Sequence, residues 1–268
     1  MNRFANCRVI PTLVFLVAAS AAAQKTAPSV QEVLILARAH VAATFATLPD
    51  VFCDEKISSS ELHNGKVKRV MTLDSLLTVR KSGSGDEKLT EGREIHLVDG
   101  KPAQKNKKYD LPYTFNGGFG LLFNSFLSSA YDQCNTYRIA AEEASEVNLI
   151  GLEVSRKLNA KQTAGCETYL GSAVHTFWLD PATYEIQRIE TRAQLPDGSR
   201  GFKSITGRND FAMVQFGPKS YLLPASVRVI ETREPDSSQQ YLFEAHYSNC
   251  HKFAASTSIL SDPIEVSH

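Results

Sequence analysis

No Gly-x-Ser-x-Gly segment occurs in this chain, so the strained turn that exposes a hydrolase serine has no candidate. The nearest fragment, Gly83-Ser84-Gly85, reads as a hairpin tip. No two cysteines form a C-x-x-C pair and their spacings match no zinc ribbon, which removes the common structural metal sites. An excess of one charge is also lacking. Lys and Arg number 29 and so do Asp and Glu, leaving no basic stripe for phosphates, so nucleic acid is not an expected partner. After residue 23 no apolar run approaches the ~20 residues of a membrane span. What remains is an ordinary globular composition, 43% hydrophobic and 22% charged, which excludes a disordered chain.

One apolar run stands at the start. Arg3 and Arg8 precede it, Ile10 to Ala19 form it, and Ser20-Ala21-Ala22-Ala23 follow as a small-residue exit. That order is the pattern of a secretory signal peptide over 1–23, with cleavage expected between Ala23 and Gln24. Cys7 lies before the run, so a lipid-attachment cysteine is not expected. The expected location is therefore secreted or periplasmic. Removing 23 of 268 residues leaves 245, and removing Arg3 and Arg8 leaves 27 basic against 29 acidic residues.

Cys53, Cys134, Cys166 and Cys250 remain, an even number in a disulfide-permissive compartment. Four cysteines allow three pairings, and sequence does not choose among them. The expectation adopted is Cys53 with Cys250, first strand against last, and Cys134 with Cys166.

From Pro28 to Leu48 the residues Val30, Val33, Leu34, Ala37, Val41, Phe45 and Leu48 recur at three and four, one stripe of a helix. Ser29 with Glu32 forms a capping box, and Pro49 ends the run. From Val51 the period becomes two. Strands are expected at 51–60, 67–81, 89–98, 137–143, 147–160, 166–179, 185–195, 210–216, 220–233 and 239–253. Asn64-Gly65, Asp180-Pro181-Ala182-Thr183 and Pro196-Asp197-Gly198-Ser199 read as turns. Phe119, Leu122, Phe123, Phe126 and Leu127 repeat with helical spacing to about Ser129, behind the glycines of 117–120. The fold class is α+β and mostly antiparallel β. About ten strands curl into a half-barrel around the N-terminal helix and this short inserted one. No linker divides the chain, so one domain is expected over 24–255, with 256–268 a tail.

A secretory leader, a helix ending in Leu-Pro, a long meander and the run Phe177-Trp178-Leu179-Asp180-Pro181, followed by Ile186-Gln187-Arg188-Ile189, resemble the periplasmic lipoprotein-carrier superfamily of LolA, LppX and RseB-like proteins. The runs Leu48 to Cys53, Gly118 to Leu122 and Tyr221 to Pro224 look like a group of uncharacterised secreted bacterial proteins of similar length. The resemblance implies an unclosed β-barrel holding an acyl chain or lipid-linked cargo. It supplies no catalytic residues.

The candidate ligand contacts are Phe119, Leu122, Phe123 and Phe126 on the inserted helix, with Trp178, Phe243 and Tyr247 on the sheet. A phosphate cradle at 117–120 is disfavoured because no Lys-Ser/Thr follows. Lys101, Lys105, Lys107 and Lys108 read as a solvated loop, Glu142, Glu143 and Glu146 as a solvated turn, and His96 and His175 as satisfied strand residues. Cys250, His246 and His251 cannot form a catalytic trio, because strand alternation puts His246 and Cys250 on one side and His251 on the other. The expected protein is exported and non-enzymatic, with no cofactor and no metal, binding a lipid, acyl chain or other apolar ligand. The alternatives are an envelope interaction or sensor module with a filled core, and a secreted hydrolase with an unrecognised site.

Overall fold

The computed structural model describes residues 28–81, 89–105, 107–115, 127–141, 148–157, 166, 173–194, 202–233 and 238–253. Helix α1 runs Val30–Thr47. Its capping box is formed: the Ser29 amide donates to Glu32 Oε2 at 2.8 Å and the Glu32 amide to Ser29 Oγ at 3.3 Å. Hydrogen bonds from Ser29 hold the Glu32 carboxyl below its ordinary range. Eleven strands follow in chain order. They are β1 (Val51–His63), β2 (Lys66–Lys81), β3 (Leu89–Val98), β4 (Lys101–Pro102), β5 (Asn135–Ile139), β6 (Ile150–Arg156), β7 (Val174–Leu179), β8 (Ile186–Gln194), β9 (Phe202–Phe216), β10 (Lys219–Arg233) and β11 (Gln239–Lys252).

All pair antiparallel in one sheet, ordered β4-β3-β2-β1-β11-β10-β9-β8-β7-β6-β5. The sheet is open, with β4 and β5 at its edges. The chain starts in the middle of the sheet, steps outward to β4, and re-enters at the opposite edge before returning strand by strand to β1's other side. Asn64-Gly65 and Asp99-Gly100 make the tight turns, each with both residues at positive φ. The second helix expected over Phe119–Ser129 falls almost wholly outside the described residues. A short 3-10 turn at Ser129–Tyr131 follows it.

Three sequence expectations need correction. The eleventh strand, β4, is a two-residue edge pairing inside the lysine-rich excursion, too short for any period to reveal. Strand β9 begins at Phe202 rather than Asp210, because ladders to β8 and β10 hold a stretch whose polar alternation and Gly207 hide it. Cys250 does not share a face with His246. Phe52 pairs His251 while Asp54 pairs Ser248, so β11 carries one extra residue there, beside Asn249 at φ 48°. The bulge turns Cys250 to the buried side, where it bonds Cys53.

Candidate functional site: the inner face and the split between two strands

Cross-strand partners point to one side of a sheet, so the ladders define its faces. One row reads Phe177, Ile189, Asn209, Val227, Ala245, Ile57 and Leu73 across seven strands. This is the inner face. Its buried side chains gather into two clusters. Over β6–β8, Val33, Leu34 and Ala37 of α1 pack with Leu152, Val154, Phe177, Leu179, Ile186 and Ile189. Arg38 fastens the helix beside β5: it pairs with Asp132 and donates from Nε to the Leu127 carbonyl at 2.5 Å. Hydrogen bonds from Arg38 and Tyr137 outweigh burial and hold Asp132 below the usual carboxyl range. Burial, with Asp132 as acceptor, pushes the Tyr137 phenol up to about 12.

The second cluster covers β1, β2, β10 and β11, and no helix lies on it among the described residues. Its lid is the segment 111–115, from which Leu111, Tyr113 and Phe115 pack inward. The Tyr113 ring meets Phe243 edge-on with centroids 6.4 Å apart, and Phe115 meets the same ring at 6.1 Å. Polar groups pin the strap. The buried Ser59 hydroxyl donates to the Tyr113 carbonyl at 2.8 Å and accepts its amide at 2.9 Å. The Tyr113 hydroxyl donates to Glu231 Oε1 at 2.5 Å. Burial raises both the Tyr113 phenol and the Glu231 carboxyl above their ordinary values, and Glu231 Oε2 is buried with no partner. Leaving such a group unpaired costs about 1–3 kcal/mol.

A second polar group lies toward the β3 edge of the same face. Glu55, 1% exposed, accepts from Ser75 Oγ at 2.7 Å and from Arg93 Nε at 2.8 Å. Burial works against the Arg93 charge, but the hydrogen bond and charge of Glu55 win and raise its pKa. Burial also raises the Tyr247 phenol, helped by the nearby Glu55 charge.

The sheet is not continuous between β10 and β11. They pair from Ser226–Thr232 against Gln240–His246. Beyond Ser226, β10 stays with β9 as far as Lys219; beyond His246, β11 stays with β1 as far as Lys252. Two irregularities sit at the fork: an extra residue at Ala225, next to Pro224 with its missing amide, and the bulge beside Asn249. The fork holds a cleft of about 330 Å³, lined by Ala212 to Gln215, Leu223 to Ala225 and Tyr247 to Cys250. Leu223 and Tyr247 belong to the second cluster, and Met213, 56% exposed, stands on the outside. Two side chains of the second cluster thus form part of the cleft wall.

No family model and no curated protein sequence matches this chain. Two solved structures are similar in fold. A DUF1329 family protein from Desulfovibrio piger shares 13% identity, with 86% of this chain and 96% of that one covered and a TM-score of 0.45. A LolA superfamily protein from Nitrosomonas europaea shares 11% identity over 86% and 96%, with a TM-score of 0.34. At these identities neither assigns a site residue.

The residues singled out from sequence fall in three places. Phe243 lies under the strap and Tyr247 on the wall of the cleft. Trp178 is on the opposite face, in the row Arg188, Asp210, Ser226, His246 and Lys56, so it does not line one surface with the other two. It is 3% exposed and packs over Gly151, where a Cβ would stand 2.8 Å from its ring. Phe119, Leu122, Phe123 and Phe126 lie outside the described residues. Cys53 is joined to Cys250, and Cys134 to Cys166. Among the described residues no group of three or more His, Cys, Asp or Glu could hold a metal ion, and no helix is long and apolar enough to cross a membrane.

Sequence reading missed Ser59, Glu55, Asn209 and Glu231. Each is a polar residue at an inward position of an otherwise apolar alternation, and that parity was the available signal.

Proposed function

We propose that this is an exported, non-enzymatic protein, one domain over 24–255, that shelters a lipid, acyl chain or other apolar ligand against its curled sheet. The observation that carries this reading is the fork between β10 and β11, a largely apolar cleft of about 330 Å³ whose wall includes Leu223 and Tyr247 of the second cluster. Ligand pockets begin at roughly this size. Burial of each methylene contributes about 0.8 kcal/mol, enough for a chain of moderate length to bind by burial alone. The ligand enters at Met213 and Tyr247, and the 111–115 strap lifts to admit more of it. The two disulfides support export, since such bonds persist in oxidising compartments.

The test is native mass spectrometry and organic-solvent extraction of the protein purified from an exporting host. A lipid in near-equimolar amount is expected, and Met213→Glu, which puts a charge at the mouth of the cleft, reduces its recovery. Protein that yields no lipid under several expression conditions refutes the reading.

One observation favours an interaction module instead. The outward side of α1 carries Ile35, Leu36, Ala39, Ala42, Ala43 and Ala46, all exposed and none charged. If this face binds an envelope partner, Ile35→Glu with Leu36→Glu abolishes partner capture while leaving bound lipid unchanged.

A further inference from the structure

We infer that one end of the sheet docks on an anionic lipid bilayer, through the β1–β2 ribbon and the lysine-rich excursion beside it. This surface lies away from the fork, since β11 begins here with Gln239 and reaches the cleft only at Tyr247. It stands independently of the ligand reading above.

Strand β2 pairs with β1 from Lys66 to Val79, but with β3 only from Leu73 onward. The ribbon therefore outruns its neighbour, and residues 64–70 are exposed without interruption. They contain the run Lys66-Val67-Lys68-Arg69-Val70. Arg69 pairs with Glu61 and Val67 with Leu62, so Lys68 is an extra residue. Strict alternation would part Val67 from Val70; the bulge brings both to the outer face. They are 60% and 51% exposed. Across Ser60, Leu242 and Ile230 continue the same face onto β11 and β10. Grouped aliphatic residues in water mark a surface that another apolar phase covers.

The balanced total charge hides a local excess at this end. The excursion leaves the ribbon where the Asp99 amide donates to the Thr72 carbonyl at 3.0 Å, and returns where Arg69 Nη2 donates to the Asp110 carbonyl at 2.5 Å. It adds exposed Lys101, Lys105, Lys107 and Lys108 to Lys66 and Lys68. The nearby carboxylates are already engaged. Asp99 accepts from the Thr72 amide at 2.8 Å, Asp110 pairs with Arg69 at 3.7 Å, and Glu61 accepts from Gln239 at 3.0 Å. None of the six lysines has an ion-pair partner among the described residues. Their chemistry favours a membrane over an acidic protein. Lysine is a point charge on a flexible stem and is depleted at protein interfaces, where the planar fork of arginine is preferred. An anionic bilayer attracts each such charge without demanding a fixed geometry, and the valines enter its surface.

The test is flotation of the full exported protein with vesicles of phosphatidylcholine alone and of an equimolar mixture with phosphatidylglycerol. Binding is expected to the mixed vesicles only, and to fall as salt is raised. Lys66→Gln with Lys68→Gln should weaken it about tenfold. Val67→Ser with Val70→Ser should weaken it about fivefold with the salt dependence unchanged. Lys219→Gln with Lys252→Gln, at the far end of the sheet, should leave it as in the parent. In Val67→Trp, emission should shift to shorter wavelength on the mixed vesicles. Equal binding to neutral vesicles, or an equal loss from the Lys219 and Lys252 pair, overturns the inference. So does saturable binding of polyglutamate without vesicle binding, which would make this end a site for an acidic protein. Each of these failures leaves the cleft and its ligand reading untouched.

Discussion

Over β6–β8 the inner face is covered by an 18-residue helix held at its flank by an arginine, whereas over β1, β2, β10 and β11 the cover among the described residues is the short strap 111–115 hung on one tyrosine. The first half has continuous strand pairing from β5 to β9; the second contains the fork. A helix brings a whole stripe of side chains to a sheet and satisfies its own backbone. A strap brings three, and borrows a serine and a buried glutamate to satisfy the rest. The two halves of one sheet are thus covered in different ways, and the difference can be tested.

The covalent ties set the largest contrast. Cys53–Cys250 closes a separation of 197 residues in the forked half, and Cys134–Cys166 a separation of 32 beside the helix. In the chain-entropy model these contribute about 5 and about 4 kcal/mol. Replacing each pair by alanine and following thermal unfolding should therefore hurt the forked half more. A larger loss from Cys134→Ala with Cys166→Ala would reverse the comparison.

Proton linkage separates the halves next. Burial under the helix side depresses His175 from 6.5 to about 4. Its contribution is complete above pH 6.5 and lost as pH falls toward 4, on the order of 3 kcal/mol. Glu231, on the strap side, has a raised pKa, so its contribution is complete below its unfolded value of about 4.5 and lost as pH rises through the folded one. Denaturant midpoints from pH 4 to 8 should show His175→Gln flattening the acid limb alone. A parent acid limb that persists in the variant would mean that His175 does not carry it.

The smallest effect is at the strap. Tyr113→Phe removes the donor to Glu231 and should cost about 2 kcal/mol. Because that hydrogen bond lowers the Glu231 pKa, its loss should also move the alkaline limb to higher pH. Faster hydrogen exchange confined to 111–115 and the facing β1 residues would sharpen the picture, whereas loss of protection in α1 would show the halves to be one unit.

Alternation made most strands legible: Leu89–Val98 matches its observed bounds, and the spacing of Val33, Leu34 and Ala37 placed the stripe of α1. The period tells which residues share a face, but not which strands are neighbours, so the mid-sheet start was invisible. Phe177-Trp178-Leu179 is apolar throughout, and such a run cannot say which side its tryptophan takes. At Asn249 a single extra residue reversed the parity on which the orientation of Cys250 depended. The fork was equally hidden, since it arises from two bulges on separate strands and leaves each strand's own pattern intact.

Because β1 lies against β11, the centre of this sheet is assembled from its first and last strands in chain order. A hairpin of β1 with β2 can form early, but its other edge stays bare until the chain has emerged as far as β11, Gln239–Lys252. The middle of the molecule is thus the last place to be finished, and a chain truncated before β11 exposes its longest uncovered strand edge there.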